Sequence, residues 1–221
     1  MRVLTIDLGG TYVKVMASGM AEPRRAASGK AMGPTGMVAA VRQLVGDWQY
    51  DTVTFGYPGV VRDNRPVLDP NNLAPGWVEF DYERALDRPV RIINDAAMQA
   101  LGSYEGGRML FLGLGTGLGS ALVIDKVVHG MELSQLPYKE GRRYGDFLAR
   151  RGMLRLGMAG WQEAVAEAVP LLKRALCADY VVLGGGNVRH LDRLPPHTRI
   201  GANVNAFRGG FRLWLDPEVR V

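Results

Sequence analysis

The sequence predicts an α/β protein built as two related halves that face each other. Three observations carry that expectation. Short apolar, often β-branched runs alternate along the chain with segments whose apolar residues recur at helical spacing. Glycine, proline, asparagine and aspartate punctuate the runs. The plan of the opening also returns near the middle, as strand, glycine turn with a threonine, strand. Ile6-Asp7-Leu8-Gly9-Gly10-Thr11 is answered by Leu112-Gly113-Leu114-Gly115-Thr116-Gly117.

In chain order, Val3 to Ile6 is a strand ending at Asp7 and Gly9-Gly10, and Tyr12 to Met16 resumes it, so residues 2–17 read as a hairpin. Met37, Val38, Val41, Leu44 and Val45 mark a helix that stops near Gly46 or Asp47. Thr52 to Phe55 is the next strand, closed by Gly56, Pro58 and Gly59. From Arg62 to Trp77 the chain is rich in Pro, Asn and Asp without a period, a long loop of the kind compact domains keep for function or motion. Val90 to Ile93 is a strand running into Asn94-Asp95, and Ala96 to Glu105 is a helix. Met109 to Leu112 and Ala121 to Ile124 flank the second glycine turn. Trp161 to Leu176 is helical, with Pro170 expected to kink or break it. Tyr180 to Leu183 is a buried strand entering Gly184-Gly185-Gly186-Asn187, with a helix expected next. Trp77, Phe207, Phe211 and Trp214 read as core. The halves divide as residues 1–106 and 107–221, with the last helix placed to pack back on the first half.

Composition narrows the class. The chain has 221 residues, 47% of them hydrophobic and 22% charged, which is ordinary for a soluble globular protein. A net charge of +5 suits an anionic ligand and is too modest to indicate nucleic acid. The single cysteine, Cys177, excludes an internal disulfide and any zinc site built on several thiolates. Asp7 falls where a secretion signal would continue its apolar core, and the uncharged run from Met109 to Ile124 is too short and glycine-rich to span a membrane. A cytoplasmic location is expected, with no membrane partner.

The glycine turns are the chemical signal. Without Cβ atoms they expose consecutive backbone N–H groups that can cradle phosphate. The set has no G-x-x-x-x-G-K-[ST], and Gly113, Gly115, Gly117 and Gly119 miss the dinucleotide spacing. Asp7-Leu8-Gly9-Gly10-Thr11-Tyr12-Val13-Lys14 together with Gly115-Thr116-Gly117 resembles the two phosphate loops of the actin/Hsp70/sugar-kinase superfamily, and within it the ROK family of sugar kinases. Further matches follow in order: Gly56-Tyr57-Pro58-Gly59, Pro70-Asn71-Asn72-Leu73, Asn94-Asp95-Ala96-Ala97, Glu132-Leu133 and Asp179 to Gly186. The Gly-Gly-Thr-x-x-Lys spacing and Gly117-Leu118-Gly119-Ser120 are most similar to the polyphosphate/ATP glucokinase branch.

The resemblance implies a two-lobed, ribonuclease H-like (actin-like ATPase) fold with a cleft between the lobes, and transfer of the terminal phosphate of ATP to a hexose hydroxyl. It makes Asp95 the general base, worth ~10²–10⁴-fold in rate. A carboxylate there also caps a helix beginning at Ala96, and the two roles are compatible. Asn94, Asp95, Glu132 and Asn72 (with Asn71 as its alternative) would bind the sugar. Gly9, Gly10, Thr11, Lys14, Gly115, Thr116 and Gly117 would bind phosphate, and Gly184, Gly185, Gly186 and Asn187 the nucleoside. Asp7 would hold Mg²⁺ through water, since Mg²⁺ needs little more than one carboxylate beside water and phosphate.

The chain departs from the family in two places. Glu132-Leu133-Ser134-Gln135 stands where most members have Glu-Leu-Gly-His, so a residue that hydrogen-bonds without ionising replaces the sugar-contacting histidine. The cysteine-rich zinc motif is missing, no zinc is expected, and His129, His190 and His197 read as surface or turn residues. The family's dimer surface draws on helices from the part shortened here, so a homodimer is one arrangement open to the chain. Lys139, Arg142, Arg143, Arg150, Arg151 and Arg155 form either a track for inorganic polyphosphate or, with Glu140 and Asp146 interrupting, a solvated face. The alternatives to an ATP-dependent kinase are therefore a polyphosphate-dependent one and a non-catalytic sugar- or nucleotide-binding relative.

Overall fold

A computed structural model describes residues 1–221. The first sheet begins with β1 (Val3–Leu8) and β2 (Tyr12–Ala17), a hairpin in which Asp7 faces Lys14 across the strands. β3 (Arg24–Ala27) extends the hairpin at its outer edge. α1 (Pro34–Val45) follows, with proline at its first turn, where no N–H is needed, and Gly46 at φ 57 ending it by donating to the Arg42 carbonyl. β4 (Thr52–Tyr57) then pairs parallel to β1. A two-strand ribbon, β5 (Val61–Arg62) and β6 (Arg65–Pro66), interrupts the long loop, and α2 (Tyr82–Leu86) precedes β7 (Val90–Asn94), which pairs parallel to β4. The sheet order is β3-β2-β1-β4-β7.

α3 (Asp95–Ser103) leads out of the first sheet, and the same plan repeats in the second. β8 (Arg108–Leu114), β9 (Leu118–Ile124) and β10 (Val127–Met131) form the antiparallel part. α4 (Tyr144–Leu148) and α5 (Arg150–Ala175) cross to β11 (Tyr180–Gly184), which lies parallel to β8 and to β12 (Thr198–Ile200). The order β10-β9-β8-β11-β12 matches the first sheet strand for strand. The repeat legible in the glycine turns therefore extends over five strands in each half.

Alternation along the strands sorts the core into layers. Leu4, Ile6, Val53 and Phe55 pack with Met37, Val41 and Trp77 on one face of the first sheet. Leu110, Leu112 and Leu114 pack with Trp161, Val165 and Val169 of α5 on the far face of the second. Between the sheets, Met109, Phe111 and Val123 meet Ala97, Met98 and Leu101 of α3. α6 (Asn205–Leu215) lies beside α3 and against β1 and β4, so the last helix packs on the first sheet, where the Thr54 hydroxyl donates to the Gly210 carbonyl at 2.7 Å. The two helices approach at glycines: a Cβ on Gly102 would sit 1.8 Å from the Asn205 carbonyl oxygen. Beyond α6 the chain returns to the second sheet, and the Val128 N–H donates to the Arg220 carbonyl at 2.9 Å.

Three expectations change. Pro170 leaves α5 continuous through Ala175, and the interruption falls at Gly157, whose φ of 72 and ψ of 174 only glycine adopts without strain. Gly186–His190 is a single 3₁₀ turn instead of a helix; the prolines at 195 and 196 follow before β12. α3 starts at Asp95, one residue before the helix expected from Ala96, with Asn94 at its N-cap.

Candidate active site

The first glycine turn joins β1 to β2. The Gly9 N–H donates to Tyr12 at 2.9 Å, and the Gly9 carbonyl accepts from the Ser28 hydroxyl at 2.6 Å. No backbone carbonyl takes the N–H groups of Gly10 and Thr11, both exposed at the tip. The second turn joins β8 to β9 in the same way. The Gly115 N–H closes on Gly117 at 3.1 Å, while those of Thr116 and Gly117 reach no backbone acceptor. Two outside donors hold the Gly115 carbonyl: the Arg150 N–H at 2.9 Å and the Asn187 side-chain amide at 3.2 Å. Each turn is thus pinned from behind and leaves donors free in front, the requirement for an anion cradle.

The carboxylates gather where β1, β7 and β10 end. Asp95 opens α3, and its Oδ1 accepts the Ala96 N–H at 2.8 Å. Capping itself falls to Asn94, whose Oδ1 accepts from the Ala97 N–H at 3.0 Å. The Asn94 amide also donates to the Gly59 carbonyl at 3.0 Å, which leaves one N–H for a ligand. Loss of hydration pushes the Asp95 carboxyl up to about 7, helped by the negative charge of Asp7 and then Glu132 against the Ala96 N–H and Lys14. Asp95 therefore senses Asp7, Glu132 and Lys14 at once. Gly119 permits this arrangement, because a Cβ there would lie 2.7 Å from the Ala96 Cβ, so only glycine lets the start of α3 close on β9.

Lys14 is half-buried and paired with Asp7 at 2.9 Å, so each charge is partly compensated before any ligand arrives. Asn72, of the long loop, lies against the first turn: a Cβ on Gly10 would be 3.5 Å from the Asn72 Cβ. Of the two adjacent asparagines, this is the one set beside the turn. Glu132 stands at the start of a 3₁₀ turn, where desolvation raises its pKa against the opposing hydrogen bond of the Ser134 hydroxyl. Gln135, three residues on, is exposed and accepts from the Arg143 guanidinium. Gly184 and Gly185 pack on the end of β8, where a Cβ on Gly185 would meet the Leu114 carbonyl oxygen at 2.5 Å, and Gly186 is open. The expected nucleoside residues thus adjoin the second glycine turn.

Several positioning hydrogen bonds have no counterpart in the sequence motifs. Asp69 closes the long loop by accepting from the Trp77 N–H at 2.8 Å, and the Tyr57 hydroxyl donates to Leu68 at 2.7 Å, fixing the span that holds Asn72. The Ser120 hydroxyl donates to Met131 and accepts from Leu133, pinning both neighbours of Glu132. These bonds join residues distant in sequence and leave no local pattern. His129 and His197 are exposed and His190 is half-buried. No three His, Cys, Asp or Glu side chains converge to hold a metal. A cavity of about 880 Å³ opens between the β5–β6 ribbon, β7 and the C-terminal segment, but of the site residues only Asn94 lines it. No helix is long and apolar enough to cross a membrane.

The ROK family model matches residues 3–133, more than half of the chain. The chain belongs to the ROK family. It is 26% identical over 155 residues to the polyphosphate glucokinase of Mycobacterium leprae, a match covering 63% of this chain and 47% of that protein. It is 30% identical over 139 residues to the bifunctional enzyme NanE/NanK of Brucella melitensis, covering 55% and 26%. This ROK chain therefore matches less than half the length of either curated relative. Among solved structures, the inorganic polyphosphate/ATP-glucomannokinase of Arthrobacter sp. strain KM superposes with a TM-score of 0.80 at 21% identity, over 95% of this chain and 96% of that one. The actin-like fold expected from the motifs is the fold observed.

Proposed function

We propose that this ROK protein transfers the terminal phosphate of ATP to a hydroxyl of a hexose, with Asp95 as the base. The observation that carries the reading is the setting of that carboxyl. It lies within electrostatic reach of both Asp7 and Glu132, with a pKa of about 7. A base poised near the operating pH combines a useful ionised fraction with real basicity. The acceptor sugar would lie against Asn72, Glu132 and the remaining Asn94 N–H. The donor phosphates would span the free N–H groups of the two turns, with the nucleoside along Gly184–Asn187. Phosphoryl transfer asks the protein mainly for positioning and charge neutralisation, which these groups supply.

Magnesium fits the same residues. Lys14 occupies the Asp7 Oδ2, and the other oxygen remains for a cation held otherwise by water and phosphate. When bound, the ion would shield the phosphate charge. The test is a panel of hexoses and amino sugars with Mg·ATP, read through coupled ADP release. Saturable turnover with at least one sugar supports the reading, and ADP release indifferent to every sugar contradicts it.

Polyphosphate is the second donor to consider. In the segment from Lys139 to Arg155, neither Arg142 nor Arg150 has a carboxylate partner, while Lys139, Arg151 and Arg155 do. The names of two of the relatives include polyphosphate. Running the same panel with long-chain polyphosphate in place of ATP distinguishes the donors.

A further inference from the structure

Six basic residues lie between Lys139 and Arg155, and the structure separates them. Lys139 pairs with Glu167, Arg151 with Asp146 at 3.0 Å and Arg155 with Glu140 at 3.7 Å. Arg143 is held by the Gln135 side-chain carbonyl. Arg142 and Arg150 remain exposed without a carboxylate. What distinguishes Arg150 is its backbone, whose N–H is bound to the Gly115 carbonyl at 2.9 Å. That bond fixes its Cα beside the turn whose Thr116 and Gly117 N–H groups stand free.

We propose that Arg150 is a donor-binding residue, its guanidinium closing on the terminal phosphates held by the Gly115–Gly117 turn. The inference rests on the donor role given to that turn above and adds a cation to it. Backbone amides supply dipoles without net charge, and Lys14, the charge at the other turn, is already spent on Asp7. A polyanion at the second turn would otherwise meet no formal positive charge among the residues assigned to it. A guanidinium suits the role because its planar fork binds two phosphate oxygens at once and stays charged at any working pH. The tether runs through the main chain, so changing the side chain leaves the turn in place.

The test is calorimetric titration of the wild-type protein, Arg150→Ala and Arg150→Lys with inorganic tripolyphosphate at constant Mg²⁺. Arg84→Ala, an exposed cation on α2, serves as a control for net charge. Losing a charge-assisted contact should weaken tripolyphosphate binding by about tenfold in Arg150→Ala, with partial recovery in Arg150→Lys and no change in Arg84→Ala. Undiminished binding by Arg150→Ala, equal weakening in Arg84→Ala, or a wild-type protein that binds no tripolyphosphate would each overturn the inference. Binding needs no sugar, so failure of the kinase reading appears separately, as absent turnover in a wild-type protein that still binds.

Discussion

Asp95 is costly to ionise. Its carboxyl gives up hydration at the start of α3 and lies within the field of Asp7, which together push its pKa up to about 7. A base acts only when ionised, so kcat/KM for sugar phosphorylation should rise with pH through about 7 and level off above. A profile already flat at about pH 5 would contradict the assignment. The same shift acts on stability with the opposite sign. The unfolded carboxyl titrates near 4, so between about 4 and 7 the folded protein holds a proton that the unfolded chain has lost. Stability therefore falls as pH rises across that window, and the loss is complete above it. Asp95→Asn keeps an oxygen for the Ala96 N–H and removes the charge. It should stabilise the protein by ~2 kcal/mol at about pH 8 and change little at about pH 4. Thermal melts at the two pH values check this, and a variant less stable at the higher pH would refute it.

At the scale of elements, glycine serves opposite purposes. Gly36 sits exposed in α1 with open space where a Cβ would go, so Gly36→Ala should stabilise by ~0.5–1 kcal/mol through helix propensity. Gly102 meets backbone across α3 and α6, and backbone cannot rotate away as a side chain does. Gly102→Ala should cost ~3 kcal/mol or unfold the protein. Urea denaturation of the two variants measures both, and similar midpoints would show that the helices do not pack at that glycine. The same contrast marks what the sequence made legible. Apolar runs and turn residues announce β1, β2, β4, β7, β8, β9 and β11, because those signals are local. β3 escapes notice since Arg24 and Arg25 face solvent and give no alternation. The interruption of α5 was expected at Pro170, where the cost of proline is known, yet it falls at Gly157, where a backbone only glycine tolerates is used. Asn187 was legible as part of a glycine-rich turn, whereas its bond to the Gly115 carbonyl joins residues far apart and could not be read from either.

For the whole molecule, the cleft depends on two sheets of one topology clasped around α3 and α6. α3 belongs to both: Ile93, just before it, and Ala97 and Leu101 within it share a core with Phe111, Val123 and Val182 of the second sheet. The chain end ties the halves again, since α6 lies on the first sheet while Lys126 of the second pairs with Asp216 at 3.0 Å. Asp7 reaches the cleft from one sheet, Glu132 from the other, and Asp95 from the helix between them. No single half carries all three carboxylates, which is why residues spread over more than a hundred positions along the chain meet only in the fold. Under the proposed mechanism Asp95 takes the proton from an alcohol held in this cleft. Turnover of Mg·ATP and the preferred hexose by wild-type protein and Asp95→Asn, at about pH 8 and saturating donor, tests it directly. The expected result is ~10²–10⁴-fold slower phosphorylation by a variant that melts no lower than wild type; undiminished turnover by the folded variant would contradict the assignment.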